Sequence, residues 1–334
     1  MAFGVRFVPV RAAARRPVAP AAATRDVDGS LSGRVARWAL PGGAGRGPVA
    51  TTLFGERDRV LGLVSNQAAA RRVSASTIAV NAILLSFLIS LVVNAAFFAV
   101  AAIRRTDVVT DLSYSLSFAL LAIVLPSLGA REPVQLAAAL LVLIWAARLG
   151  GYLLTRILRI KVDHRFDGMR DEPLRFARFW LLQALSVAVI MLPVSYLLSR
   201  DNAPDLGPWA IAGVSIWLVG LVIEAAADAQ KSAFKAKEEN RERFITSGLW
   251  RYSRHPNYFG EMLVWWGLFI YAVPFLQGAA FAVVIGPVVI TLLLLFVSGI
   301  PLLEQSAEAK YGDDPAYREY QRRTSILVPL PPRS

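Results

Sequence analysis

The chain has 334 residues, 55% of them hydrophobic, with a mean hydropathy of +0.49, a formal net charge of +12 and no cysteine. Disulfides and thiolate metal sites are excluded, and the two histidines, His164 and His255, have no ligand-spaced partner, so no metal is expected. The positive charge invites a nucleic-acid partner, but beyond the first 75 residues it sits mostly in short loops between apolar runs, where membrane topology explains it.

Residues 1–75 hold twelve arginines, no lysine and four acids, in stretches such as "RAAARRPVAPAAATR" and "LPGGAGRGP". An Arg-rich, acid-poor leader resembles an organelle transit peptide. A disordered extension, or a start codon placed too early, is the plainer alternative. Either way the expected organisation is a leader over 1–75 and a membrane domain over 76–334.

Apolar runs follow at roughly 77–103, 112–129, 134–157, 176–198, 208–228, 257–275 and 279–303. A bilayer crossing needs about 20 such residues, so the expected fold is all-α and polytopic, with about seven transmembrane helices. The second run is short, and "PSLG" interrupts its end. Alternating the spans gathers the basic residues into the loops at 104–111, 156–178 and 225–256 and the tail; the opposite loops hold only Arg131 and Arg200. By the positive-inside rule the N-terminus lies outside and the C-terminus inside.

In "WAARLGGYLLTRILRIKVDHRF", Arg148 lies well within a span, with Tyr152, Arg156 and Arg159 further along the helix. An intramembrane arginine needs a partner or a watery cavity, whereas snorkelling explains Arg156 and Arg159 equally well. In "IEAAADAQKSAFKAK", Glu224, Asp228, Lys231 and Lys235 share one helical face. They are either solvated charges beside the membrane, or acids that bind hydroxyls or an amide next to lysines that meet phosphate.

In "RYSRHPNYFGEMLVWWG", Pro256 suits the first helical position, so a helix begins near His255. Its free N–H groups, with Arg251 and Arg254 beside them, make an anion site. Asn257 and Glu261 lie one turn apart just inside the span. Interfacial anchoring explains Tyr258, Trp265 and Trp266, but not an amide and a carboxylate sharing a face in lipid. The three clusters suit a phosphate-bearing nucleotide held by helices, since neither a Walker loop nor a strand-borne GxGxxG occurs.

"GLWRYSRHPNYFGEMLVWWG", the upstream "EAAADAQKSAFK" and the tail "YREYQRRTSILVPLPP" resemble the DUF1295 branch of the steroid 5-alpha-reductase C-terminal domain superfamily, over most of residues 104–332. The resemblance implies a seven-helix membrane enzyme that uses NADPH to reduce a carbon–carbon double bond conjugated to a carbonyl. It implies that Asn257 and Glu261 contact the nicotinamide half, and that Asp228, Lys235, Arg148, Tyr152 and Arg159 belong to the same cofactor site. Glu224 replaces an asparagine. Of the pair that holds a steroid's carbonyl, Trp145 stands for the tyrosine and Asp111 for the glutamate. Candidate carbonyl donors are therefore Asp111, Trp145 and Tyr114; candidate cofactor contacts add Arg156, Glu224, Lys231, Arg251, Arg254, His255 and Tyr258.

The expected substrate is lipophilic: a sterol enone, a polyprenal or an enoyl lipid. An S-adenosylmethionine-dependent methyltransferase is the alternative, since membrane methyltransferases share an RHPxYxG-like stretch and a late acidic residue that Glu304 matches. A non-catalytic lipid-binding protein is the third reading. An organelle membrane is expected if the leader is a transit peptide, otherwise a bacterial inner membrane or the endoplasmic reticulum. The sequence leaves the oligomeric state open.

Overall fold

The computed structural model describes residues 49–104, 109–160, 172–201, 204 and 207–334, with side chains from Thr77 onward except at Asp111 and 157–160. Two compact units divide the chain, Arg6–Arg71 and, for the described residues, Arg72–Ser334. Residues 1–48 of the expected leader lie outside the described residues; the backbone over 49–71 is helical. All that follows concerns the second unit.

The described residues hold no strand. The helices are α1 (Val49–Arg104), α2 (Thr110–Val124), α3 (Pro133–Ile160), α4 (Pro173–Ile190), α5 (Leu192–Leu198), α6 (Pro208–Ala236), α7 (Pro256–Ala272), α8 (Ile285–Leu292), α9 (Ile300–Tyr311) and α10 (Pro315–Arg323). Six segments are long and apolar enough to cross a bilayer: Thr77–Arg104, Pro133–Arg156, Pro173–Ile190, Pro208–Ala236, Pro256–Phe275 and Gly278–Tyr311. Leu112–Leu128 is apolar but shorter. This is an integral, multi-pass membrane protein.

Proline sets where these helices begin. Pro133, Pro173, Pro208, Pro256 and Pro315 each open one, at a position whose N–H has no intrahelical acceptor to lose. Inside a span proline interrupts instead. The run expected at 176–198 is two helices, parted at Met191 just before Pro193. The run expected at 279–303 is a 3-10 segment, α8, a π-turn over Leu293–Val297 and then α9, broken at Ser298–Gly299 ahead of Pro301. The carbonyl of Leu293 takes the amide of Ser298 at 2.8 Å, which re-satisfies one group freed by the break. Hydropathy alone does not register such breaks, because the side chains stay apolar through them.

α6 and α7 form the most extensive helix pair. A Cβ on Gly220 would fall 2.6 Å from the Gly260 carbonyl oxygen, and one on Gly260 would fall 2.6 Å from the Glu224 amide nitrogen. Only backbone fits there, so the small-residue seam sets Glu224 of α6 against Gly260 and Glu261 of α7.

A buried polar knot ties α1, α2 and α4 together. Gln183 Nε2 donates to Asn94 Oδ1 and to Ser113 Oγ, both at 2.8 Å, and Asn94 Nδ2 donates to Ser117 Oγ at 3.2 Å. Gln183 is the α4 member of this knot and is only 3% exposed, so Gln183→Leu is expected to lower the melting temperature in detergent, a loss of about 1–2 kcal/mol. An unchanged melting temperature would show that the knot does not hold the helices.

Candidate functional site

Arg148 of α3 reaches two carboxylates on α6. Its Nη1 lies 2.6 Å from Glu224 Oε1 and its Nη2 2.5 Å from Asp228 Oδ2. Spacing of four residues sets the two acids one turn apart, which matches the fork of a guanidinium. Glu224 and Asp228 are only 2% and 3% exposed, so they are not solvated charges beside the membrane. Trp145 Nε1 donates to the second Glu224 oxygen at 3.1 Å. The Arg148 guanidinium also stands 5.7 Å from the centre of the Tyr152 ring.

Beside this cluster lies a cavity of 160 Å³. One wall is polar: Tyr114 from α2, Glu224 and Asp228 from α6, Asn257 and Glu261 from α7. The apolar part of its lining is Leu149 and Leu153 from α3, Leu294 from the π-turn and Leu303 from α9. Tyr152, Arg156, Lys231 and Tyr258 complete it. Three buried atoms of the polar wall have no hydrogen-bond partner: the Tyr114 hydroxyl, Asp228 Oδ1 and Asn257 Oδ1. Buried polar atoms are nearly always paired. Three left open on one wall mark a place for a ligand that carries both donors and acceptors.

A second cavity, of 220 Å³, adjoins the first and shares Lys231 and Leu303 with it. Its lining is cationic and aromatic, with Lys231, Lys235, Arg254 and Lys310 beside Trp250, Tyr311, Tyr317 and Tyr320. Lys231 Nζ stands 4.7 Å from the centre of the Trp250 ring. Glu304 of α9 lies between Arg254 and His255, ion-paired to Arg254 and 2.7 Å from His255 Nε2. Burial pushes the His255 imidazole below its ordinary value, against the pull of Glu304. The neutral ring then donates from Nε2 to Glu304, and Nδ1 is a buried acceptor with no partner.

The C-terminal tail straps this loop in place. The Arg254 amide donates to the Ser325 carbonyl at 2.8 Å, and Ser253 Oγ donates to the Leu327 carbonyl at 2.6 Å. The Tyr320 hydroxyl donates to the Trp250 carbonyl at 2.7 Å. The tail was legible as a motif, but its contact with 250–254 was not.

Most of the expected residues therefore meet. Tyr114, Tyr152, Arg156, Glu224, Asp228, Lys231, Asn257, Tyr258 and Glu261 surround the first cavity, and Lys231, Lys235, Arg254 and His255 line the second. Four of the expected residues stand apart from the first cavity. Trp145 is fully buried with its N–H committed to Glu224, so it does not face the cavity as a carbonyl donor. Arg148 does not line the first cavity; it ion-pairs Glu224 and Asp228 and, with Tyr152 and Asp228, lines a separate cavity of 350 Å³. Lys235 Nζ donates to the Arg241 and Arg243 carbonyls, at 2.8 and 2.6 Å, and so secures the loop that follows α6 before it can meet a phosphate. Arg251 is exposed and lines neither cavity. Asp111 lies on α2 and Arg159 on α3, but their side chains are outside the described residues. The leucines of the lining carried no signal in the sequence, because a span is apolar on every side.

The family described as "Protein of unknown function (DUF1295)" matches residues 97–324, more than half of the chain. Methanethiol S-methyltransferase 1 of Bradyrhizobium diazoefficiens is 33% identical to the chain over 93 residues, which is 28% of each protein. No solved structure matches.

Proposed function

The chain belongs to the DUF1295 family, and from that premise we propose a membrane-embedded, NADPH-dependent reductase of a carbon–carbon double bond conjugated to a carbonyl in a lipophilic substrate. The observation that carries this reading is the trio of open polar atoms on one wall of the first cavity: the Tyr114 hydroxyl, Asp228 Oδ1 and Asn257 Oδ1. A carboxamide on an aromatic ring needs an acceptor for its N–H groups and a donor for its oxygen. Asp228 and Glu261 accept, and Asn257 can do both. Lys231 and Arg254 stand where phosphates would pass into the second cavity, and the rings of Trp250, Tyr317 and Tyr320 suit an adenine. The residues present therefore fit the group.

When bound, NADPH supplies the hydride that adds to the β-carbon of such a substrate. The protein's own share is electrostatic and positional. The Tyr114 hydroxyl would donate to the carbonyl oxygen and hold the charge that develops there, after which the α-carbon would take a proton from water. Arg148 fixes Glu224 and Asp228 in place, and α6 and α7 set Glu224 against Glu261. Tyr114→Phe is expected to lower kcat for a long-chain enone by about 10²-fold, followed through the absorbance of the reduced cofactor. A kcat within a few-fold of wild type would remove Tyr114 from the chemistry.

One observation favours a second reading. Glu304 meets Arg254 and His255 of the RHP stretch, and the relative named above is a methyltransferase. Under that reading S-adenosylmethionine would occupy the second cavity, whose lining joins Glu304 and aromatic rings to Lys231, Lys235 and Lys310. The first cavity's amide and acid pair would then have no task. That asymmetry favours the reductase.

Counting Leu112–Leu128 with the six longer spans gives seven crossings, with the C-terminus on the basic, cofactor-bearing side. A transit peptide over 1–75 would address the protein to an organelle membrane; without one, the membrane would be a bacterial inner membrane or the endoplasmic reticulum.

A further inference from the structure

We propose that the outward face of the C-terminal tail, formed by Ile326, Val328 and Leu330 among arginines, docks on the anionic headgroup layer of the bilayer. The inference concerns a surface outside both cavities and does not depend on the reductase reading.

The tail alternates. Thr324 is buried and Ser325, Leu327 and Pro329 are half-buried, whereas Ile326, Val328 and Leu330 are 44%, 44% and 51% exposed. A period of two belongs to an extended chain with one face on protein. The inner face is accounted for. Ser325 pairs with Ser253 in a parallel bridge, Leu327 packs on the core, and the Leu330 amide donates to the Tyr252 carbonyl at 3.1 Å. The outer face stays open, and Tyr252 beside it is 41% exposed as well. Pro329, Pro331 and Pro332 keep the chain extended and leave three fewer amides to be satisfied at an apolar boundary.

Position supplies the partner. Ser253 and Arg254, to which the tail is hydrogen-bonded, directly precede the bilayer-crossing helix that starts at Pro256. Paired extended chains lie about 5 Å apart, so the tail runs at the level where hydrocarbon gives way to headgroups. Aliphatic side chains at that level reach the acyl boundary, and tyrosine is at home there. A water-borne partner would have to displace headgroups to reach the same row. Charge then selects the headgroup. Residues 320–333 hold Arg322, Arg323 and Arg333 and no acid, and Arg251 adds a fourth; all four arginines are exposed. Arg322 and Arg323 lie 2.8 and 3.8 Å from Glu319, in surface pairs that yield readily to a stronger anion. Lipid phosphate is such an anion, and the guanidinium fork suits it. The inner face of the same tail fixes Arg254, so lipid that holds the tail also steadies a wall of the second cavity.

The chain has no cysteine, so a single introduced one carries the only spin label. Ile326→Cys, Val328→Cys and Leu330→Cys are labelled in the full chain and placed in nanodiscs. One set of discs is phosphatidylcholine alone, and the other adds an equal part of phosphatidylglycerol. Asp313→Cys, in the exposed turn between α9 and α10, is the water-facing reference. In the anionic discs the tail labels are expected to collide freely with oxygen, which concentrates in lipid. They should meet a water-soluble nickel chelate several-fold less than the reference does. In neutral discs that protection should shrink. With Arg251→Gln, Arg322→Gln, Arg323→Gln and Arg333→Gln together, the two lipids should give the same result; the pair Arg251→Gln, Arg333→Gln serves if the fourfold variant does not fold. Tail labels as open to the chelate as Asp313→Cys, or equal protection in both lipids with the arginines intact, would overturn the inference. Shielding from oxygen as well as from the chelate would mean a protein partner, such as a second copy, and would overturn it too.

Discussion

Arg148→Met is expected to cost about 3–5 kcal/mol and to remove most of the folded protein from detergent extracts, because it strands two buried carboxylates. Glu224 and Asp228 each give an oxygen to this guanidinium. Neither has a cation of comparable geometry to replace it: Lys231 sits over the Trp250 ring and Lys235 is engaged by loop carbonyls. The triple variant Arg148→Met, Glu224→Gln, Asp228→Asn removes the charges together and should regain much of the loss, since a neutral set needs hydrogen bonds but no counter-ion. Melting of the single and triple variants in the same detergent makes the comparison. A single variant as stable as wild type would mean that the cluster is not the brace described above.

Gly260→Ala should have the second-largest effect. A Cβ there meets the Glu224 amide at 2.6 Å, with the Gly220 carbonyl equally close, and backbone cannot yield as a flexible side chain does. Overpacking of this kind costs about 1–3 kcal/mol. It also forces α7 away from α6, which parts Glu261 and Asn257 from Glu224 and Asp228. Cofactor affinity should therefore fall by more than the stability loss alone would give. Gly151 on α3 is the control, since a Cβ there meets nothing within 4 Å; Gly151→Ala should be neutral, or stabilise by up to about 1 kcal/mol through helix propensity. If both alanines behaved alike, the close approach of α6 and α7 would not matter.

What the sequence reveals and conceals follows from physical scale. Polar residues inside apolar runs stand out because lipid tolerates so few of them, so Arg148, Glu224, Asp228, Asn257 and Glu261 were legible, and the fold brings all five to one place. Their assignment to individual tasks was less legible. Trp145 and Arg148 hold Glu224 and, for Arg148, Asp228, and nothing in a linear pattern tells a ligand contact from a brace for one. The breaks at Met191 and at Ser298–Gly299 leave no mark in hydropathy, but Pro193 and Pro301 signal them in the sequence. The adjoining of two cavities through Lys231 and Leu303 depends on α9 crossing near α6, a tertiary fact with no local signature.

Direct titration of purified protein with NADPH and with S-adenosylmethionine, using Glu261→Ala and Asn257→Ala as controls, tests the central claim most directly. The account predicts that NADPH binds, that S-adenosylmethionine does not, and that each substitution weakens NADPH by at least about tenfold, or 1.4 kcal/mol. Binding of S-adenosylmethionine alone, unaffected by either substitution, would contradict it and assign the second cavity to a methyl donor.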